Sequence, residues 1–585
     1  MPSNKTKFYE KMDIYFDESN TSSNFHEEQN KEKLQLRKNK IFNILFSKRK
    51  ELIKKNYNND INDSRSIDIK SLNCDEEIKK DPDNYIRTKF DIKKWFKYFF
   101  SSNKNDILVS LFLIDKYVGL QLLEIKDEKK RKLSRNDTEL IQHLCDNLLN
   151  DDIKIIYNSC TCLTNLTLFP ANIENRIYSE RNLEKILKFF NVLSNNLASL
   201  GYEALYFFIN ICFNHDVKIY LVKHSFLENF YNFVNNIINN KSLNLDDRFE
   251  LNTIKICVSI LSELIKICQI DDNYIKRFLC FIPICKIITS KYYANIDSLI
   301  FDESQADDLI TIWKFLTMNR ENRENIINEI IKDNFLKVLI LLYYKIKEVK
   351  LKVEMFKIFS EFLSIGGTVD LILINDGIIQ FLSEEIERNQ YSNVELLNYI
   401  IFSISNLTMG NMGTNELLFK SQVIFKIIDI TNFHIDDKLD KEITNLLKNS
   451  IYCLANFVNG CSTEIKKNIL NYKNFSIIII FCKALKIKLN LEFKEKKSHI
   501  TAIIYSINEL NVVSEELDPD MELKYDILIM KHSLKEIINN YSLEKNLDES
   551  VQNNIEYILD FIKDKEKKYI INNNHTFIKN FFNFY

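Results

Sequence analysis

Two side-chain types recur four residues apart along this chain, an aromatic followed by an asparagine. The full pairs are Tyr206/Asn210, Phe402/Asn406 and Tyr452/Asn456; Asn165 keeps the asparagine behind Thr161, and Trp313 keeps the aromatic ahead of Thr317. Residues i and i+4 share one face of a helix, so each pair sets a ring beside a carboxamide. A carboxamide carries two N–H donors and an acceptor, and a row of them can bond alternate N–H and C=O groups of an extended peptide whatever its sequence. Rings one turn away form slots for long aliphatic stems and attract their cationic ends. Acidic groups at the rim would complete a groove for Lys and Arg. For any single pair the competing reading is a core ring and a turn-capping asparagine, and only recurrence at matching places favours the groove.

The recurrence sets the elements that must carry these pairs. With weaker members Ser259/Glu263, Lys357/Glu361 and a terminal Asn508, the second position of each pair falls at 165, 210, 263, 317, 361, 406, 456 and 508. The intervals run from 44 to 54 residues, and armadillo and HEAT repeats occupy about 40–47. The excess is read as loop insertion at 239–247 and 486–497. Only 8 Gly and 5 Pro occur in 585 residues, against average usage of about 7% and 5%. Turn-dense β-sandwiches and barrels are thereby excluded, and an all-α solenoid of about ten armadillo repeats is the expected fold. The expected organisation is a disordered N-terminus over 1–30, a basic amphipathic helix over 31–56, a linker over 57–88, the repeat array over 89–565 and a tail over 566–585. Gly410 and Gly460, four residues after Asn406 and Asn456, and Gly366, five after Glu361, are read as left-handed stops of the groove-lining helices.

The sequence offers little to catalysis. No G-x-G-x-x-G, G-x-x-x-x-G-K-[ST], G-x-S-x-G or H-E-x-x-H occurs, the 8 His are dispersed, and the 12 Cys include no C-x-x-C. No enzyme, cofactor or metal site is expected, and the cysteines read as small buried hydrophobes of a reduced intracellular protein. Apolar runs such as 477–482 are far short of a bilayer span, and no secretory leader is read at the N-terminus. Net charge is −2 but unevenly placed: residues 31–55 hold ten Lys/Arg against two Glu, a local +8 that leaves −10 on the remainder. On its own this basic segment fits a solvated helix or a nucleic-acid-binding arm as well as a partner-binding one.

The ladder and its spacing resemble those of importin-α, the adaptor family that carries proteins bearing nuclear localisation signals. Leu36-Arg-Lys-Asn-Lys40 followed by Ser47-Lys-Arg-Lys50 resembles the family's importin-β-binding segment; Ile374-Asn-Asp-Gly377 resembles its inter-helix turn, and residues 508–517 its last repeats. The resemblance implies a right-handed solenoid. It implies a major peptide site at Asn165, Tyr206 and Asn210, and a minor one at Trp313, Phe402, Asn406, Tyr452 and Asn456. It also implies that Arg37, Lys38, Lys40, Lys48, Arg49 and Lys50 bind importin-β or occupy the protein's own groove. The implied partners are importin-β and basic cargo, with a nuclear export receptor as a further candidate, no nucleic acid and no membrane insertion; the implied location is cytoplasm and nucleus. Departures from the family are the loss of Trp at every ladder position but Trp313, neutral Asn214 and Asn449 where the family carries acids, with Asp216 a stand-in for the first, and Glu263 and Glu361 in place of asparagine. An armadillo scaffold for a different extended partner stays open beside this reading.

Overall fold

The computed structural model describes residues 67–89, 91–124, 136–167, 179–200, 204–239, 247–269, 272–293, 303–318, 323–389, 393–437, 440–487, 493–542 and 548–572. The basic segment, with Arg37, Lys38, Lys40, Lys48, Arg49 and Lys50, lies outside the described residues, as does the expected N-terminal stretch 1–30. Regular structure among the described residues is helical throughout. The chain divides into two compact units, residues 1–319 and 320–585.

We number only the inner helix of each repeat. In the C-terminal unit these are α6 (Val349–Leu363), α7 (Val394–Thr408), α8 (Lys441–Gly460), α9 (Phe493–Ser514) and α10 (Glu549–Asn572), each packed on the next. The N-terminal unit has a corresponding row, α1 (Lys104–Glu124), α2 (Ile153–Leu166), α3 (Leu205–Cys212), α4 (Asp247–Ile265) and α5 (Glu303–Thr317). Five inner helices per unit match the expected ten repeats.

The C-terminal repeats are regular, and local sequence explains why. Two outer helices precede each inner one, as in Thr368–Asn375 and Ile378–Asn389 ahead of α7. Short polar side chains start the helices: Asn393, Asn411, Asp440 and Asp518 each accept a backbone N–H three residues on, filling donors that a helix start leaves bare. Along α7 the buried Leu397, Ile400, Ile401, Ile404 and Leu407 recur at three- and four-residue steps, so Asn398, Phe402 and Asn406 are left on the opposite, half-exposed face.

Three sequence expectations change. The described part of the expected linker is folded: Glu76–Lys80 and Pro82–Lys89 are helices, and Ile69, Ile78, Tyr85 and Ile86 join Trp95, Val109 and Leu113 in one apolar cluster. Its few apolar residues are spread thinly among Asn, Asp and Lys, which hid the period. At the other end α10 continues past 565 to Asn572, with buried Lys565 paired to Glu522 and, at 3.5 Å, to Asp526. Of the three glycines read as left-handed stops, only Gly366 (φ +75°) is one. Gly460 lies within α8, where an added Cβ would come 2.5 Å from the Asn415 Nδ2; at Gly410 it would come 3.0 Å from the Leu407 carbonyl and 3.3 Å from the Asp370 carboxylate. Those two glycines let the end of an inner helix approach the first outer helix of the preceding boundary closely.

Candidate peptide-binding face

The ladder register deduced from spacing reappears as hydrogen bonds between neighbouring inner helices. Asn406 Nδ2 donates to the carbonyl of Ser360 at 3.0 Å, and Asn210 Nδ2 to that of Thr164 at 3.3 Å. Each reaches back 46 residues, to the residue just before the preceding ladder position, Glu361 in one unit and Asn165 in the other. Asn508 Nδ2 donates at 2.7 Å to Asn554 Oδ1, which adds α10 to the ladder. Asn449 Nδ2 donates at 2.8 Å to Asn398 Oδ1, a second amide row two helical turns before the first. Asn398 and Asn554 were missed in the sequence; the signals were there, Asn398 eight residues before Asn406 and Asn554 forty-six after Asn508.

The expected ligand-facing residues do not all reach the surface. Phe402, Asn406, Tyr452 and Asn456, on adjacent α7 and α8, are half-buried with a side open. Asn406 spends one donor on Ser360, and its other N–H and its oxygen have no partner among the described residues; no described residue hydrogen-bonds the Asn456 side chain. Tyr452 is backed edge-on by His499 with ring centroids 4.9 Å apart; burial pushes the His499 imidazole down to about 4, so it is neutral there at pH 7. In the N-terminal unit Tyr206 and Asn210 are also half-buried, but the Asn210 amide nitrogen donates twice, to Thr164 and at 2.8 Å to Thr167 Oγ1. Asn165 is 2% exposed and donates to Asp115 Oδ1 at 3.0 Å. Trp313 is 0% exposed, its indole N–H donating to Thr289 Oγ1 at 3.2 Å. Asn165 and Trp313 therefore pack the core of their unit and have no surface to offer a ligand.

The two ladder glutamates bring their own counter-ions. Glu263 receives Lys218 at 2.9 Å and a close contact from Lys266; burial raises its carboxyl, but the two ammonium groups outweigh that and hold it below the usual range. Arg323 closes on the Glu361 carboxylate and on Ser364 Oγ, yet burial still leaves the Glu361 carboxyl raised. The negative charge expected of these substitutions is cancelled inside the chain. Asn214, at a position where an acid was expected, caps the helix His215–Lys223 by accepting from Val217 N at 3.1 Å.

No three His, Cys, Asp or Glu among the described residues are placed to hold a metal ion, and no described helix is long and apolar enough to cross a membrane. Burial pushes the Cys145, Cys285, Cys461 and Cys482 thiols up to about 12, the reverse of what a thiolate nucleophile needs.

No family model and no curated protein matches this chain. Solved structures do. One, from work on a phosphorylation switch that controls the interaction between cadherin and β-catenin, aligns with a TM-score of 0.54 and 10% identity over 84% of this chain and 95% of its own. An engineered protein aligns with a TM-score of 0.52 and 13% identity over 81% and 99%. A designed armadillo repeat protein in complex with the peptide (KR)4 aligns over 46% of this chain and 96% of its own, at 0.33 and 15%. The fold is all-α, of the armadillo-repeat type.

Proposed function

We propose that this chain is a non-enzymatic adaptor that holds an extended peptide segment on the α7–α8 face of its C-terminal unit. The observation that carries the reading is the pair of rungs Phe402/Asn406 and Tyr452/Asn456. Two open carboxamides on neighbouring helices, each beside a ring, offer donors and acceptors to a peptide backbone and flat walls to its side chains. In its finer form the proposal is an import adaptor resembling importin-α. Basic nuclear localisation signals would occupy the groove, residues 31–56 would engage importin-β, and the protein would shuttle between cytoplasm and nucleus.

The paired ladder carboxylates favour a second reading, a scaffold whose extended partner is not rich in Lys and Arg and which has no transport role. One pull-down separates the two. A peptide of residues 31–55 captures importin-β if the adaptor reading holds, and charge reversal at Arg37, Lys38 and Lys40 abolishes capture; no capture by the unaltered peptide leaves the scaffold. The groove itself is tested by fluorescence anisotropy of a labelled peptide against the full chain. The double substitution Asn406→Ala with Asn456→Ala weakens binding about twenty-fivefold, since each amide lost removes hydrogen bonds worth about 1 kcal/mol net. Unchanged affinity would remove α7–α8 as the site.

A further inference from the structure

One rung beside that face carries a cation of the chain's own. In ladder register Lys357 of α6 stands where the next repeat carries Phe402, four residues before Glu361 as Phe402 is four before Asn406. Its ammonium is hydrogen-bonded to Glu354 Oε1 at 2.8 Å and lies 5.1 Å from the centre of the Tyr399 ring on α7. Glu395, in the first turn of α7, adds a second negative field at the same ammonium. A carboxylate and an aromatic face around one ammonium, with a further carboxylate in its field, are the components of a lysine-binding slot.

We propose that Glu354, Tyr399 and Glu395 form a cation-binding slot at the edge of the peptide face, and that Lys357 is its resident plug, which sets the groove against Lys or Arg in the ligand at this rung. The inference rests on the peptide-binding reading above and specifies that site's selectivity. A ligand lysine arriving here meets an occupied slot and a like charge. It gains nothing unless Lys357 swings out and gives up the Glu354 hydrogen bond and the Tyr399 ring. Shortening residue 357 removes the resident ammonium from between Glu354 and the Tyr399 ring. Basic ligands are then the ones that profit, because a neutral side chain has no use for two carboxylates.

The test uses the full-length chain and two labelled octapeptides, one of alternating Lys and Arg and one of alternating Ser and Asn, followed by fluorescence anisotropy. Lys357→Ala tightens the basic peptide about five- to tenfold and leaves the neutral one within a factor of two. Adding Glu354→Gln to that variant returns the basic peptide to the wild-type level, and circular dichroism confirms that both variants are folded. If the wild-type chain binds the basic peptide and Lys357→Ala leaves its affinity unchanged or weaker, the plug is overturned while the peptide-binding reading stands. Tighter binding of both peptides alike also overturns it, since simple removal of bulk would then account for the gain. If neither peptide binds the wild type or the folded variant, the peptide-binding reading falls and the plug with it.

Discussion

Asn210 in the N-terminal unit and Asn406 in the C-terminal unit reach back the same 46 residues to equivalent carbonyls, yet they differ in what they leave for a ligand. Thr167 takes the second donor of Asn210, and the preceding rung, Asn165, is closed over and bonded to Asp115. At Asn406 and Asn456 no such neighbour intervenes. One residue type at one register thus serves as a structural tie in the first unit and as an open rung in the second. What decides is the side chain one helix away. The units differ in the same sense in their turns: every described residue with positive φ, seven non-glycines and three glycines, lies in the C-terminal unit, and five of its turns between outer helices each hold at least one, at Asn334, Gly377, Gln422, Phe475 and Ser533 among others.

The largest effect that would break this comparison comes from the close seams of the C-terminal unit. Gly460→Ala places a Cβ 2.5 Å from the Asn415 amide, and Asn415 is fully buried, so the amide has nowhere to retreat. A loss of about 2–3 kcal/mol is expected by urea denaturation, in line with overpacking of a filled core. Gly366→Ala, with φ +75° but nothing within 4 Å, costs about 1 kcal/mol of backbone strain. Equal costs at the two glycines would mean that the seam is looser than its geometry.

A second seam tests charge. Asp370 takes the place in its repeat that Asn415 takes in the next, and its Oδ1 is buried without a partner. Burial pushes its carboxyl up to about 6 from an ordinary 3.8. A raised acid is one whose ionised form burdens the native state. The burden is absent below about pH 4, grows as pH rises and is complete above about pH 6. Asp370→Asn makes the two seams alike and stabilises the protein by about 2–3 kcal/mol at pH 8 and by almost nothing at pH 4. A gain independent of pH would assign the effect to packing instead.

The open and closed rungs separate next. Asn456→Ala weakens a bound extended peptide about fivefold, near 1 kcal/mol, and leaves the unfolding midpoint unchanged. Asn165→Ala does the opposite: it removes the hydrogen bond to Asp115, costs about 1 kcal/mol of stability and leaves peptide affinity unchanged. Anisotropy and denaturation on the same two variants read both halves, and a binding loss at Asn165 would show that the first unit's ladder is open after all.

These contrasts also mark how far the sequence could be read. Helix content, the repeat interval and the positions of the inner helices were legible because apolar residues at three- and four-residue steps are a property of each helix alone. The open rungs at Asn406 and Asn456 follow from the same local pattern. The closed ones do not. Nothing near Asn165 or Trp313 announces that Asp115 or Thr289 will cover it, and nothing near Glu263 or Glu361 announces Lys218 or Arg323, which lie 45 and 38 residues away. Gly410 and Gly460 were noticed but assigned to φ, when a neighbour's Asp370 and Asn415 decide their size. Burial and pairing between repeats are tertiary facts, and a single repeat carries no mark of them.

The smallest effect concerns the turns, and it has opposite signs in the two units. Gln422 is exposed and sits at φ +65°, ψ +4° before the helix Val423–His434. A side chain in that left-handed region costs roughly 1–2 kcal/mol through its Cβ, while glycine costs roughly 0.5–1 kcal/mol in extra entropy lost on folding. Gln422→Gly therefore stabilises the protein by about 0.5 kcal/mol. The turn after His215–Lys223 in the N-terminal unit runs through His224 at φ −94°, ψ −177°, ordinary extended backbone that any residue adopts. His224→Gly has no strain to relieve there; it adds the entropy loss and removes the ring contact with Tyr220 at 4.1 Å, so it destabilises by about 1 kcal/mol. Denaturation midpoints of the two variants, measured side by side, test whether the units close equivalent turns by different backbone routes; shifts of the same sign would show that they do not.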